Sequence, residues 1–480
     1  MTQDNSIIDA GLAREWATEA RTLVFSEVES PTEDNLVTFL NLGMFWCSQG
    51  EWQRMIIYLG NASGTVRALG FIPESIAHEM PFETELSLRR FWAWFLISQF
   101  INWTDCSAMC IEHFENIPLP CNEKEFDSGA LKSPPVSMRD RKRTDSFYAE
   151  MIRLCSIWLA HDDGLQIDKR LRSLQTLDTK LRVWQKDLPE VFALSRACIR
   201  SSKEKGQIFS LHIIYHQVMC ALHSSIVPLF SLNPLKGECG LFQTTSAQTA
   251  FFHAQKVSSI FIQAGSLFRL PTVGFLGYAA YCSSAVQMPF LWCQKSHIRQ
   301  SAYFNIEANM EVLHAVGKHW KLVAILADFV PVLHKYHTGM AYSLADETKA
   351  LDGAELNRNR GMRLRARASI LGYNKVVGYK GWKQGHGGKT CLDLDLDDDS
   401  EKQNGCERND FSESDSPFPT NLDFLSSILE AQKECSFQGL DSFSFLPETQ
   451  NVVSTPNEYL DVSSQVGCGI LDTDDFSNLF

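Results

Sequence analysis

Over roughly the first 340 residues, apolar positions recur at helical spacing. Ile167, Leu171, Leu174, Leu177, Leu181, Trp184 and Leu188 follow one another at intervals of 4, 3, 3, 4, 3 and 4. That rhythm puts them on one stripe of a long helix, and Pro189 ends it. Ser30-Pro31-Thr32-Glu33 predicts a helix start, with a capping hydroxyl at Ser30, proline at the first helical position and a carboxylate three residues after the cap. Leu36, Leu40 and Met44 then continue the helix. The run Arg89–Ile97 is apolar on nearly every face and belongs at the centre of a core. Leu270–Cys293 holds no charged residue, but Pro271 and Pro289 break it and Gly274, Gly277, Ser283, Ser284 and Gln287 soften it. It reads as a buried helix of a globular domain, with no membrane association.

The helical pattern fails between Cys121 and Ser146, where Gly129, Pro134, Pro135 and the cluster Arg139, Arg141, Lys142, Arg143 mark an exposed loop. After His337 it fades. The expected fold class is all-α: a helical body over residues 1–340 with a loop at 121–146, a glycine-rich linker over 341–390, and a tail over 391–480.

Charge sharpens that division. The chain carries a formal net charge of -13, yet residues 391–480 alone hold 20 Asp and Glu against Lys402, Arg408 and Lys433. Acidity is therefore local to the tail. Apolar grips interrupt it at Leu422, Phe424, Leu425, Ile428 and Leu429, at Phe443, Phe445 and Leu446, and at Ile470, Leu471, Phe476, Leu479 and Phe480. This alternation is the composition of a disordered transcriptional activation segment. Its expected partners are coactivator or mediator-type proteins, whose grooves would take short amphipathic turns such as 422–429 and 471–480. Ahead of the tail, residues 355–390 hold nine Lys and Arg against Glu355, with seven glycines. Within them Arg358, Arg360, Arg363, Arg365 and Arg367 are candidates for an import signal or a phosphate contact, as is the cluster at 139–143.

Segments that imitate active sites fail on physical grounds. Gly387-Gly388-Lys389-Thr390 ends like a phosphate-binding loop, but Lys383 stands where the first glycine is required. Asp393, Asp395 and Asp397 have the spacing of a calcium loop, but Asp398 occupies the glycine position and Asn404 that of the bidentate glutamate. His212, His216 and His223 share a helical face without the glutamate of a zinc protease, among core residues, and are expected to bond across a helix interface. Cys106, Cys110, His113 and Cys121 match no ligand frame. No two of the fourteen cysteines are separated by two residues, which argues against a zinc cluster or ribbon and for a reduced, intracellular setting. The opening MTQDNSIIDAGLAREW has no pattern of a secretory signal. The chain is expected to be no enzyme and to bind no cofactor or metal. The rival from another class is an α-helical enzyme or ligand-binding protein with a solubilising tail, with the three histidines as its only candidate chemistry.

Several motifs, taken in order, resemble one family. These are Phe39–Phe71 with Gly60, Ala62 and Ala68-Leu69-Gly70, then Arg89-Arg90-Phe91-Trp92, then Pro118-Leu119-Pro120. Further along come Leu181-Arg182-Val183-Trp184 with Leu188-Pro189, Leu211-His212 with Tyr215-His216, Leu222-His223, Pro271 with Gly277-Tyr278, and Val312-Leu313 with Trp320. Over roughly residues 10–340 they resemble the regulatory middle homology domain of fungal zinc-binuclear-cluster transcription factors, xylanolytic-activator type. Gly64 stands where that family commonly has Arg, and Ser98 where it has Asp. The resemblance implies an all-helical regulatory domain, a nuclear location, action at RNA polymerase II promoters, and a homodimer or a heterodimer with a related factor. The family's six-cysteine DNA-binding cluster is not in the sequence, so DNA contact is expected only indirectly or through an N-terminal cluster missing from it. Zinc would enter only there. A related alternative is a DNA-binding-deficient inhibitor that forms heterodimers with a complete relative.

Overall fold

The computed structural model describes residues 12–70, 81–100, 114–140, 143–159, 167–195, 199, 205–227, 230, 240–267, 273–293 and 295–338. Helices α1 (Leu12–Ser26), α2 (Glu33–Ser48), α3 (Trp52–Leu69) and α4 (Phe82–Phe100) come first. The short α5 (Glu123–Ser128), α6 (Phe147–Leu159) and α7 (Ile167–Lys186) follow. Then come α8 (Lys205–Ser224), α9 (Gly240–Gly265), α10 (Gly274–Gln287), α11 (Ser296–Gly317) and α12 (Lys321–Thr338). Two 3₁₀ turns, Glu190–Phe192 and Met288–Trp292, follow α7 and α10. Among the described residues there is no strand, only an isolated antiparallel bridge between Pro118 and Ser137. The fold is all-α, as the hydrophobic period predicts.

α2 begins two residues later than its sequence signature suggests. Thr32, extended at φ -127°, is the cap, its Oγ1 accepting from Asn35 N at 3.2 Å. Pro31 therefore lies outside the helix and Glu33 is its first residue, which frees the Glu33 carboxylate to leave the helix end. α7 follows the predicted stripe, with Leu174, Leu177, Leu181 and Trp184 buried. The aromatic run on α4 buries Phe91, Trp92, Trp94 and Phe95 almost completely. Within α10 every residue but Phe275 is buried. No helix among the described residues is long and apolar enough to cross a membrane.

The most extensive helix contacts are α2 with α3 and α8 with α9, followed by α10 with α11. α10 and α12 approach so closely that a Cβ on Gly274 would sit 2.8 Å from the Trp320 ring, and one on Gly277 would overlap Val323. Only glycine fits there. The segment 121–146 is more ordered than a plain exposed loop. α5 is capped by Asn122 at its start and closed by Gly129 in the left-handed region, φ 66°, and Val136 is buried. The linker from 341 and the acidic tail lie outside the described residues.

Candidate functional site

Three of the sequence motifs meet on α4. Trp92 Nε1 donates to the Pro118 carbonyl at 2.7 Å, so the Pro118-Leu119-Pro120 segment is pinned to the Phe-Trp helix. Trp94 Nε1 donates to Ser63 Oγ at 3.1 Å, tying in the glycine- and alanine-rich α3. Arg89 Nε donates to Glu85 Oε1 at 2.8 Å, its Nη2 donates to the Cys121 carbonyl at 2.9 Å, and its guanidinium lies 3.9 Å from the Phe126 ring centroid. Arg90 reaches Glu33 at 2.6 Å and Asp34 at 3.1 Å, the two carboxylates that open α2. These side chains hold four chain segments in register. Gly64, where the resemblance expects Arg, opens on empty space, so its missing side chain leaves no void.

The histidine face of α8 is the second candidate, and each ring crosses to another element. His212 Nε2 meets the Phe192 carbonyl at 2.9 Å. His216 Nδ1 meets His253 Nδ1 on α9 at 2.7 Å. His223 Nε2 lies 3.0 Å from Asp178 Oδ1 on α7, and its Nδ1 lies 3.2 Å from Ser246 Oγ on α9. Trp184 stacks on Tyr215 beside them, centroids 5.8 Å apart. Burial holds the His216 ring well below its ordinary pKa, and burial with the nearby His223 and Arg182 brings His253 to about 3. Burial works against ionisation of Asp178, but hydrogen bonds from His223 and Arg182 outweigh it and hold the carboxyl at about 2. Neighbouring thiols are held protonated, with burial raising Cys220 and taking Cys282 to about 12. Neutral rings bonded to one another, beside protonated thiols, suit helix-to-helix bonding and not proton transfer.

Asp178 and His253 were missed by the sequence reading, and the signal for both was position. Asp178 falls four residues after Leu174 and three before Leu181, on the apolar stripe of α7. His253 falls between Ala250 and Val257 on the buried face of α9. A polar side chain on an apolar stripe requires a partner. Among the described residues no group of three or more His, Cys, Asp or Glu side chains could hold a metal ion.

The remaining candidates divide. Leu422, Phe424, Leu425, Ile428, Leu429, Leu471, Phe476, Leu479, Phe480 and Arg358, Arg360, Arg363, Arg365 and Arg367 lie outside the described residues, as do Cys106, Cys110, His113, Arg141 and Lys142. Of the loop cluster, Arg143 is taken up by the fully buried Glu150 at 2.9 Å, while Arg139 stays exposed, 4.0 Å from Glu115.

Comparison with known proteins gives one kind of relative. The chain is 22% identical over 359 residues to a curated protein of Fusarium oxysporum f. sp. lycopersici described as "Zn(2)-C6 fungal-type transcription factor FTF1c". A second protein of the same description and organism is 22% identical over 354 residues. Each alignment takes in 64% of this chain and 37% of the relative, so the chain spans little more than a third of the proteins it matches. The homology is distant. No family model matches the chain, and no solved structure matches it.

Proposed function

We propose that this chain is a transcription regulator of the fungal zinc-cluster kind. Its helical body is the regulatory middle homology domain, and residues 391–480 are its activation segment, acting in the nucleus at RNA polymerase II promoters. The observation that carries the reading is the distant similarity to a Zn(2)-C6 fungal-type transcription factor over 64% of the chain. It is supported by the contacts that join the Phe-Trp helix to the Pro-Leu-Pro segment and to α3, since these motifs carry the resemblance. In this reading the body masks or presents the tail. Asp and Glu steer the encounter with a coactivator, while Phe and Leu supply the buried contact. Sequence-specific DNA contact comes from a zinc cluster outside this sequence or from a dimer partner.

The test is a tethered reporter. Residues 391–480 fused to a foreign DNA-binding domain should activate transcription. Substituting Phe424, Leu425, Ile428 and Leu429 by Ala should weaken output more than neutralising Asp397, Asp398 and Asp399, because apolar burial provides most of the contact energy. Output equal to that of the empty tether removes the activation assignment.

A further inference from the structure

The segment after α5 returns to that helix and is latched there by one carboxylate. Glu125 Oε2 accepts from Lys132 N and Ser133 N at 3.0 Å each, and its Oε1 accepts from Ser133 Oγ at 2.6 Å. Burial works against ionisation, but these bonds outweigh it and hold the Glu125 carboxyl below its usual range, so the group is an anion at neutral pH. Pro134 and Pro135 carry no N–H and add no backbone donor to the latch. The next tie lies at Val136, whose carbonyl accepts from Leu119 N at 2.7 Å. Together with Leu119 and Glu85 of α4, the segment lines a cavity of about 230 Å³.

Ser133 has what a phosphate acceptor needs. It is exposed, as are Ala130, Lys132 and Pro134 around it. The proline that follows biases its backbone to the extended form that a kinase groove takes. Ser133-Pro134 also suits a kinase whose groove asks for no N–H from the residue after the hydroxyl, since proline has none to leave unsatisfied. Three other hydroxyl-proline pairs stand in the sequence, at Ser30-Pro31, Ser416-Pro417 and Thr455-Pro456. Among the described residues, only at Ser133 does the hydroxyl of such a pair donate to a carboxylate.

We infer that Ser133 is a phosphorylation site and that its phosphate releases the segment from α5. In the transfer, Ser133 Oγ bonds to the γ-phosphorus of a nucleoside triphosphate and the bond from that phosphorus to the bridging oxygen breaks. The nucleoside diphosphate leaves with the electron pair, and the hydroxyl proton passes to the catalytic carboxylate of the kinase. The product puts a group of about -1.5 to -2 charge, rich in acceptors, where Glu125 had a donor. Two anions do not share a contact of 2.6 Å, so the Oγ bond is lost, and repulsion then opens the two backbone bonds beside it. The tie between Leu119 and Val136 stays, so the opening is confined to the outer part of the segment. The site does not depend on the transcriptional reading, since it needs the folded body and not the tail.

The test is incubation of the full chain with a proline-directed serine/threonine kinase and magnesium ATP, followed by mass mapping of fragments and amide hydrogen exchange. Stoichiometric phosphate is expected on Ser133, and Ser133→Ala should lose that phosphate alone. In the phosphorylated chain the Lys132 amide should exchange at least about tenfold faster, the loss of a hydrogen bond to a charged acceptor, while the Leu119 amide keeps its rate. Because phosphate also alters the chemistry of its own residue, Glu125→Ala is the second variant. It removes the acceptor and leaves Ser133 unmodified, and it should speed the Lys132 and Ser133 amides by a similar factor, with circular dichroism confirming that it folds. A Ser133 left unmodified by the kinase, an unchanged Lys132 amide in the phosphorylated chain, or undiminished protection of both amides in folded Glu125→Ala would each overturn the assignment.

Discussion

Between α2 and α6, side chains cross from segment to segment through charge. Arg90 of α4 reaches Glu33 of α2, Arg143 reaches the fully buried Glu150 of α6, and Arg153 of α6, 9% exposed, donates to the carbonyls of Ser137, Met138 and Asp140. Between α9, α10 and α11 the same task falls to neutral groups. Ser258 and Ser283 share a bond of 2.9 Å, Gln287 Nε2 donates to both hydroxyls, Asn305 donates to Gln287 Oε1, and Asn309 donates to Ser283 and Ser284. The helices α8, α9 and α10 carry only Lys205 and Lys256 among Asp, Glu, Lys and Arg. Every histidine among the described residues lies at 212 or later. Charged junctions tolerate mild acid but feel salt. Neutral junctions ignore salt, and where they include buried neutral imidazoles they fail in acid.

The largest expected effect follows from that contrast. An unfolded histidine takes up a proton below about pH 6.5. In the fold, burial brings His253 and His337 to about 3 and His334 to about 4. Between those values the unfolded chain binds more protons, so stability is full above pH 6.5 and falls as pH falls. At about 1.4 kcal/mol per pH unit, each ring costs about 2 kcal/mol at pH 5. The thermal midpoint should therefore drop steeply between pH 6.5 and 5, and His253→Phe should flatten the slope. An equal midpoint at both values would break the comparison. Asp178 acts lower down: its depressed pKa gives stability that is present above about pH 4 and lost as pH falls towards 2.

Next in size is the charged junction under α6. Burial raises the Glu150 pKa despite Arg143 and Arg153, so desolvation there exceeds attraction. Glu150→Ala leaves the buried Arg153 uncompensated and should cost about 3–5 kcal/mol, whereas replacing both by Leu and Met should cost far less. Denaturant melts of the single and double variants measure the difference. Gln287→Leu should come third, at about 1–3 kcal/mol, because it takes the Gln287 acceptor from Asn305 and one donor from each of the Ser258 and Ser283 hydroxyls, which keep their other partners. Its cost should be the same at low and high salt.

The neutral half also explains what the sequence could and could not say. The apolar stripe of α7, the buried α10 and the aromatic core of α4 were legible because burial imposes a period on the chain. The trio His212, His216 and His223 was legible as a face. Its partners Phe192, His253 and Asp178 were not, because each sits on another element and only tertiary packing brings them to hydrogen-bond distance. The cap of α2 shows the same limit at short range. Ser30 and Thr32 both offer a hydroxyl before a glutamate, and the choice falls to Thr32 with Glu33 turned outwards to Arg90 and Ser87. Glu85 and the loop cavity carried no local signal, since their residues are spread over α4 and the segment 119–145.

The smallest expected effect tests the charged half at its rim. Arg90 bridges two carboxylates, but Asp34 is 87% exposed while Glu33 is 32% exposed and also accepts from Ser87 Oγ at 2.7 Å. Water screens the outer contact, and ordering two long side chains offsets what attraction remains. Asp34→Asn should therefore cost only about 0.3 kcal/mol, and that cost should vanish at high salt. Glu33→Gln should cost nearer 1 kcal/mol, because it weakens the inner ion pair and a hydrogen bond between α2 and α4 together. A double-mutant cycle with Arg90→Ala separates the two contacts. If Asp34 proves more strongly coupled to Arg90 than Glu33 does, the outer carboxylate is the real tie between these helices, and the charged half is held from its surface inward.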